Sequence, residues 1–281
     1  MQFLCKRPER NSNVWRRYQK QAISLVLMLT LSGALLALPE DNAAEILTID
    51  SAINKAGKQR MLTQRITKSY MLIGQNVASD KAQRQLDASV ALFEEQLGEL
   101  ERYSPTAEIT KSLQNIRQEW NSFRGWAIAR PERSQALAMI EKSTRLLSLC
   151  EESATLFEVH SGNKKGELIN LSGRQRMLSQ RIGMLYTAHS WQVNDKPLRV
   201  SFEQAISDFD EALQHLTASH INTDEINNSL DDVVAQWRFS HSGFQLSEDG
   251  RYVPFIIQVT TESILEKMEA ITDMYESVAA Q

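Results

Sequence analysis

The sequence contains few of the residues that interrupt helices or form covalent cross-links. Glycine occurs 11 times, proline six times and cysteine twice in 281 residues. Cys5 precedes the apolar run near the N terminus and Cys150 stands alone after it, which excludes an intrachain disulfide or a cysteine-based metal site from that later part. The hydrophobic content of 42% excludes a disordered chain and provides enough apolar side chains for cores.

Long apolar runs are also scarce, and the only one lies near the N terminus. Residues 1–21 carry a net charge of +5, and the 17 residues of Ala22–Leu38 carry no charge. This order is typical of an export signal with a cytoplasmic positive end. We therefore expect residues 1–43 to direct the chain to the periplasm, with cleavage of the signal and retention of residues 22–38 in the inner membrane as open alternatives.

The part that follows the leader lacks positive charge. Residues 22–281 hold 25 basic and 34 acidic side chains, a net charge of −9. An acidic domain does not attract the phosphate backbone, so nucleic acid is excluded as an expected partner. We also find no catalytic motif and no metal-ligand spacing, and we expect neither an enzyme nor a cofactor.

The main positive feature of the sequence is an internal repeat. Ile53–Tyr70 and Ile169–Tyr186 are identical at 11 of 18 positions, at an offset of 116 residues. The alignment continues downstream and, after a one-residue insertion, pairs Trp120 with Trp237. Two copies of one structural unit are therefore predicted.

Apolar residues at 3–4 spacing predict four amphipathic helices in each copy. The fold class expected is all-α, with two tandem four-helix bundles at residues 44–160 and 161–281. No proline occurs between Pro131 and Pro197, so one continuous helix is expected to join the bundles end to end, with Gly162 and Gly166 as its weak point. The predicted helices cover residues 44–77, 81–103, 107–127, 133–160, 161–192, 199–218, 224–241 and 254–279.

The first helix of each copy has no acidic residue. Residues 51–79 and 168–194 contain no Asp or Glu, although the chain as a whole is acidic. We expect the arginines of these helices to lack local partners and to be available to an outside anion. The basic residues of the two windows are Lys55, Lys58, Arg60, Arg65 and Lys68, and then Arg174, Arg176 and Arg181.

Arg60 lies on a face of small residues. Leu62 and Ile66 form an apolar stripe, and Arg60 points about 200° away from Leu62 at 100° per residue. Small side chains such as Ala56 and Gly57 next to Arg60 allow another helix to approach closely. This face predicts a helix–helix contact with another bundle, and hence a homodimer. The alternative is a pairing of the two copies within one chain, which requires a sharp bend near Gly162.

At this point the sequence resembles two groups of one superfamily. The motif INKAGKQRM of residues 53–61 is similar to the first helix of periplasmic nitrate/nitrite sensor kinases (NarX type). The motif INLSGRQRMLSQR of residues 169–181 resembles the N-terminal domain of type IV pilus methyl-accepting chemotaxis transducers (PilJ type). The resemblance covers nearly all of the chain after the leader.

The resemblance implies a site at the contact of two first helices. In the nitrate sensors, arginines of two symmetry-related first helices hold a small oxyanion, so nitrate or nitrite is the ligand implied here. Gly57 and Gly173 would be positions of close helix approach. The anion-binding residues implied are Arg60, Arg176, Arg65, Arg181, Asn54 and Asn170.

Two functions remain open from the sequence. The first is a periplasmic small-anion sensory module without its own output domain, since no second span or signalling domain follows the repeats before Gln281. Such a module would act through a membrane receptor or chemoreceptor. The second is a structural helical scaffold of the envelope or of type IV pili, without a ligand.

Overall fold

The described part of the protein is built only from helices. The computed structural model describes residues 47–193, 195–244 and 252–278; the predicted leader lies outside them. Within these residues the all-α fold is confirmed, with eight α-helices, two short 3-10 helices and no strand. The α-helices are α1 Ile49–Gly74, α2 Ser79–Tyr103, α3 Ala107–Ala127, α4 Ala136–Ser161, α5 Lys164–Ser190, α6 Lys196–Thr217, α7 Asp224–His241 and α8 Pro254–Ser277.

Local sequence signals account for several helix starts. The side chain of Thr48 accepts a hydrogen bond from the backbone N–H of Ser51 at the start of α1, and Thr106 does the same for Ile109 at the start of α3, both at 3.2 Å. These caps satisfy amide groups that have no partner inside the helix. None of the helices in the described residues combines the length and the hydropathy needed to span a bilayer.

The prediction of one continuous helix between the two copies is wrong. α4 ends at Ser161, and Gly162 has a φ of 62° in the left-handed region, which glycine adopts without the steric cost of a side chain. Asn163 then caps α5, because its side chain accepts a 2.8 Å hydrogen bond from the N–H of Gly166. The chain therefore turns sharply at Gly162, one of the two glycines that the sequence indicated as the weak point of a continuous helix.

The turn brings the two copies side by side instead of end to end. The described residues belong to one compact unit, and its most extensive helix–helix contact is between α1 and α5, the first helices of the two copies. Each of them also packs against the second and fourth helices of its own copy. Because α1 and α5 are covered on several sides, many of their polar residues are buried as well.

The two copies repeat each other's core contacts. The rings of Phe93 and Trp120 stack at a centroid distance of 3.9 Å, and those of Phe209 and Trp237 lie at 4.2 Å. The repeat found in the sequence thus corresponds to a repeated packing unit. This internal symmetry places the same residue types on both sides of the contact between α1 and α5, which we call the seam.

Candidate functional site in the seam

The seam is closest where the two motif glycines face each other. A Cβ atom added to Gly57 would lie 3.8 Å from the Cα of Gly173, and one added to Gly173 would lie 3.7 Å from the Cα of Gly57. The start of the seam keeps nearly the same register, because Lys165 pairs with Asp50 at 2.8 Å. α1 and α5 therefore run parallel, with each residue near its repeat counterpart.

Two buried arginines cross the seam beside these glycines. Arg60 and Arg176 are both 0% exposed. Nη2 of Arg60 donates to the backbone carbonyl of Asn170 at 3.0 Å, and Nη2 of Arg176 donates to that of Asn54 at 3.3 Å. Each copy thus sends its motif arginine to the first helix of the other copy. The face that was expected to bind a second protein molecule contacts the other half of the same chain.

Each seam arginine already has a carboxylate partner. Nη1 of Arg60 donates to Glu151 on α4 at 2.9 Å, and Nη1 of Arg176 donates to Glu269 on α8 at 2.6 Å. The expectation that these arginines are unpaired is therefore wrong. An acid-free window in the sequence does not exclude acids from distant helices, and α4 and α8 supply them here.

Burial and pairing shift the pKa values of Arg60 and Glu269. Burial lowers the pKa of Arg60, the contact with Glu151 opposes that shift, and the neighbouring charge of Arg176 adds to it. Burial raises the pKa of Glu269, but the charges of Arg176 and Lys58 outweigh it and bring that pKa below its ordinary value. The seam thus holds two positive charges, and a glutamate of the same copy neutralises each of them.

Asn54 and Asn170 hold the backbone at the crossing point. The amide of Asn54 donates to Glu276 at 2.7 Å, and the amide of Asn170 donates to Glu158. Their backbone carbonyls accept the arginine hydrogen bonds described above. Both side chains therefore contact carboxylates, and the amide nitrogens are not directed at an anion site.

Arg65 belongs to a second charge cluster further along α1. Glu262 of α8 accepts a 2.5 Å hydrogen bond from Arg65 and a 2.7 Å bond from the buried Lys68. Burial raises the pKa of Glu262, but these two cations lower it to about 2. Gln180 of α5 also accepts a 2.6 Å bond from Lys68, so this cluster ties α1 to both α5 and α8.

Arg181 differs from the other three predicted arginines. Its Nη1 lies 3.4 Å from Oε1 of Gln64, and in the described residues no carboxylate reaches it within ion-pair distance. Burial lowers the pKa of Arg181, and the charge of Asp208 opposes this shift. The four arginines are thus not one site: two cross the seam, one joins a closed cluster and one faces a cleft.

The sequence interpretation missed the acidic partners, although the repeat contains the signal for them. Aligning α4 with α8 at an offset of 118 pairs Glu151 with Glu269 and Glu158 with Glu276. Both glutamate pairs make equivalent contacts to the first helices. Extending the repeat to the fourth helices would have identified them.

Comparison with known families agrees with the pilus-transducer resemblance. The family model described as type IV pili methyl-accepting chemotaxis transducer N-term matches residues 46–146 and 158–245, which is roughly two thirds of the chain. Comparison with curated proteins and with solved structures gives no match, and the resemblance to nitrate sensors receives no support. Two matched segments, the repeated helices and the motif-bearing first helices of the seam together show that the chain belongs to the family of type IV pilus chemotaxis transducer N-terminal domains.

Proposed function

We propose that the chain is an exported sensory module that signals through contact with a membrane receptor, and that the seam is its switching element. The observation that carries the proposal is the crossing of Arg60 and Arg176, each of which donates to the backbone of the opposite copy. In one chain, the two copies then form a preassembled pair of sensor units. A change in the position of α1 relative to α5 is the signal.

The energetics of the seam favour such a role. Two guanidinium groups share the crossing point, and the Nε–H groups of Arg60 and Arg176 are buried without an acceptor in the described residues. An unsatisfied buried donor costs about 1–3 kcal/mol. In the described part of the closed seam, some buried hydrogen-bond donors therefore lack acceptors. An alternative packing of α1 and α5 is consequently closer in free energy to the observed packing than it would be if the contact were wholly apolar. A ligand that prefers one packing would shift that equilibrium.

Nitrate or nitrite between the two arginines has no support from this geometry. Glu151 and Glu269 occupy the counter-anion positions, and both guanidinium groups are fully buried. The sensory function does not depend on that ligand. It requires only that an input elsewhere on the unit alter the seam.

Export is the second part of the proposal. The positive residues 1–21 followed by the uncharged residues 22–38 support delivery to the periplasm, where a receptor's outer domain is accessible. A fusion of residues 1–45 to a reporter active only in the periplasm is expected to be active. An inactive fusion protein that is found in the cytoplasm would contradict the proposed location.

The scaffold alternative is separated by locking the seam in living cells. Asp50→Cys with Lys165→Cys, joined by a bifunctional maleimide, would fix α1 to α5 at one end. A matched control joins Lys55→Cys to Glu99→Cys, a pair of α1 and α2 within one copy that interacts at 2.7 Å. Directed surface movement that depends on type IV pili, together with pilus number, is then measured.

The sensory proposal predicts that the seam lock removes the directional response while pilus number stays normal, and that the control cross-link leaves both unchanged. A deletion of the chain should likewise affect direction and not pilus assembly. If deletion reduces pilus number and the seam lock has no effect on direction, the scaffold function is correct and the sensory function is wrong.

A further inference from the structure

A cleft of about 490 Å³ opens between α4, α5 and α6, beside the seam. Its size is within the range typical of sites for small molecules. The cleft combines apolar side chains with charged groups. Residues that define its chemistry are Thr144, Leu147, Glu151, Arg181, Val200 and Asp208.

The repeat shows what is missing from this cleft. Between the two copies, Arg65 and Lys68 of α1 enclose the carboxylate of Glu262 on α8, which is only 6% exposed. The offsets of 116 and 118 make Arg181, Met184 and Thr144 the counterparts of Arg65, Lys68 and Glu262. The equivalent place between α5 and α4 therefore keeps the arginine but lacks the carboxylate that would neutralise it, and Thr144 and Arg181 both line the cleft.

The acids that remain in the cleft do not replace that carboxylate. Asp208 lies 3.6 Å from Arg174, and Glu151 pairs with Arg60 at 2.9 Å. Among the residues that the structure describes, Arg181 donates only to the amide oxygen of Gln64, at 3.4 Å. A partly buried guanidinium with a neutral and distant acceptor is a strong donor for an incoming carboxylate.

We propose that this cleft binds a small organic carboxylate, which pairs with Arg181 of α5 as the carboxylate of Glu262 on α8 pairs with Arg65 of α1. The apolar part of the ligand would lie against Leu147 and Val200, and hydroxyl groups such as that of Ser201 supply further hydrogen bonds. This inference deepens the proposed function, on which it rests for its biological meaning, because it names the ligand class of the sensor.

The cleft is also connected to the seam. Glu151 lines the cleft and at the same time accepts the hydrogen bond of Arg60. A bound carboxylate repels Glu151, and a bound ammonium group attracts it. Either effect changes the Arg60–Glu151 pair, so occupancy of the cleft reaches the crossing point through one side chain.

Isothermal titration calorimetry on the purified chain tests the site with propionate, succinate, L-alanine and L-leucine, with nitrate as a salt comparison. We expect one site per chain for at least one carboxylate and no matching site for nitrate. Arg181→Gln should weaken binding at least about 10-fold, the loss expected for a charge-assisted contact. Arg65→Gln, the matched arginine of the other copy, should keep wild-type affinity. Binding of the amino acids but not of propionate would indicate that the ammonium group of the ligand pairs with Glu151 or Asp208.

Thr144→Glu provides the complementary test. It places on α4 the carboxylate that Glu262 provides at the equivalent position of α8, so it should raise the melting temperature and abolish ligand binding. Absence of binding by all four probes, or equal binding to wild type, Arg181→Gln and Thr144→Glu, would overturn the carboxylate site. Neither result depends on the seam lock or the motility response, so the two proposals fail separately.

Discussion

At the scale of single residues, the seam depends on charges that are buried together. Arg60 and Arg176 are fully buried, but their partners Glu151 and Glu269 are 37% and 28% exposed. Water therefore screens the glutamates more than the guanidinium groups, and the two arginines rely on both copies being in place. Removal of one arginine should affect the packing of both copies.

Arg60→Ala is expected to lower the free energy of unfolding by about 3 kcal/mol. The substitution removes two hydrogen bonds and leaves a void and an unpaired, partly exposed Glu151, which places the cost at the lower end for breaking a buried ion pair. Urea unfolding followed by circular dichroism measures it. Arg199→Ala is the control, because Arg199 and Glu203 form an exposed pair on α6 that contributes at most about 0.5 kcal/mol. Equal effects of the two substitutions would contradict the burial of Arg60.

Glu262 should make stability depend on pH in the acid range. Its pKa falls from an ordinary 4.5 to about 2 in the folded chain. A carboxyl group with a depressed folded pKa contributes stability above its unfolded pKa, and this contribution, about 3 kcal/mol here, is lost as the pH falls from 4.5 towards 2. Glu262→Gln should therefore be much less stable than wild type at pH 6.

The difference between wild type and Glu262→Gln should shrink as the pH is lowered to 3, because the wild-type carboxyl group loses part of its advantage. Urea unfolding at several pH values between 3 and 7 measures both proteins. Glu203→Gln, an exposed substitution on α6, should follow the wild-type pH profile. A constant difference between wild type and Glu262→Gln across this range would show that the ion pairs with Lys68 and Arg65 do not lower the pKa.

At the scale of helices, the local spacing of apolar residues predicted where most helices form. Contacts between residues far apart in the sequence determine how those helices pack. The spacing of apolar residues placed α3 at residues 107–127 and α7 at residues 224–241, as observed, because periodicity is a property of each segment. The partner of Arg60 lies 91 residues away in the chain, and no local window contains it. The sequence thus identified the seam arginines and the small-residue face, but not the acids that pair with them, and it indicated the turn at Gly162 only as the alternative to a continuous helix.

The close approach of α1 and α5 predicts how glycine substitutions behave. A Cβ at Gly57 would lie 3.1 Å from Nη2 of Arg60, whereas a Cβ at Gly125 on α3 meets nothing within 4 Å. Gly125→Ala should stabilise the chain by up to about 1 kcal/mol through helix propensity. Gly57→Ala should instead destabilise it by about 1 kcal/mol, since displacing a buried guanidinium outweighs that gain.

Thermal or urea unfolding of the two glycine variants tests this contrast directly. Gly173→Ala should resemble Gly57→Ala, because a Cβ there would lie 3.0 Å from Nη2 of Arg176. If all three variants were stabilised equally, the seam would not have the close contact described. The comparison separates helix propensity, which all three share, from packing, which only the seam positions sense.

At the scale of the whole molecule, the seam changes the meaning of the repeat. Two tandem copies with an exposed small-residue face would need a second molecule to cover it, which is why the sequence predicted a homodimer. In the structure, α1 and α5 cover each other within one compact unit. That particular reason for a homodimer is therefore removed, and neither copy retains its observed burial without the other.

The two copies should consequently unfold together, even when only one is destabilised. Trp237→Ala removes a core side chain that is 3% exposed in the second copy, at a cost of about 3–5 kcal/mol. Cys150 lies in the first copy and is 0% exposed, so its labelling by a thiol reagent, followed by peptide mapping, reports unfolding there.

Because α1 loses its cover when α5 unfolds, the urea midpoint for Cys150 labelling should fall as far as the midpoint for loss of helix. The exposed substitution Arg199→Ala should move neither midpoint. If Trp237→Ala left the labelling of Cys150 unchanged, the copies would be independent bundles, and a ligand bound to one could not reach the other through the seam.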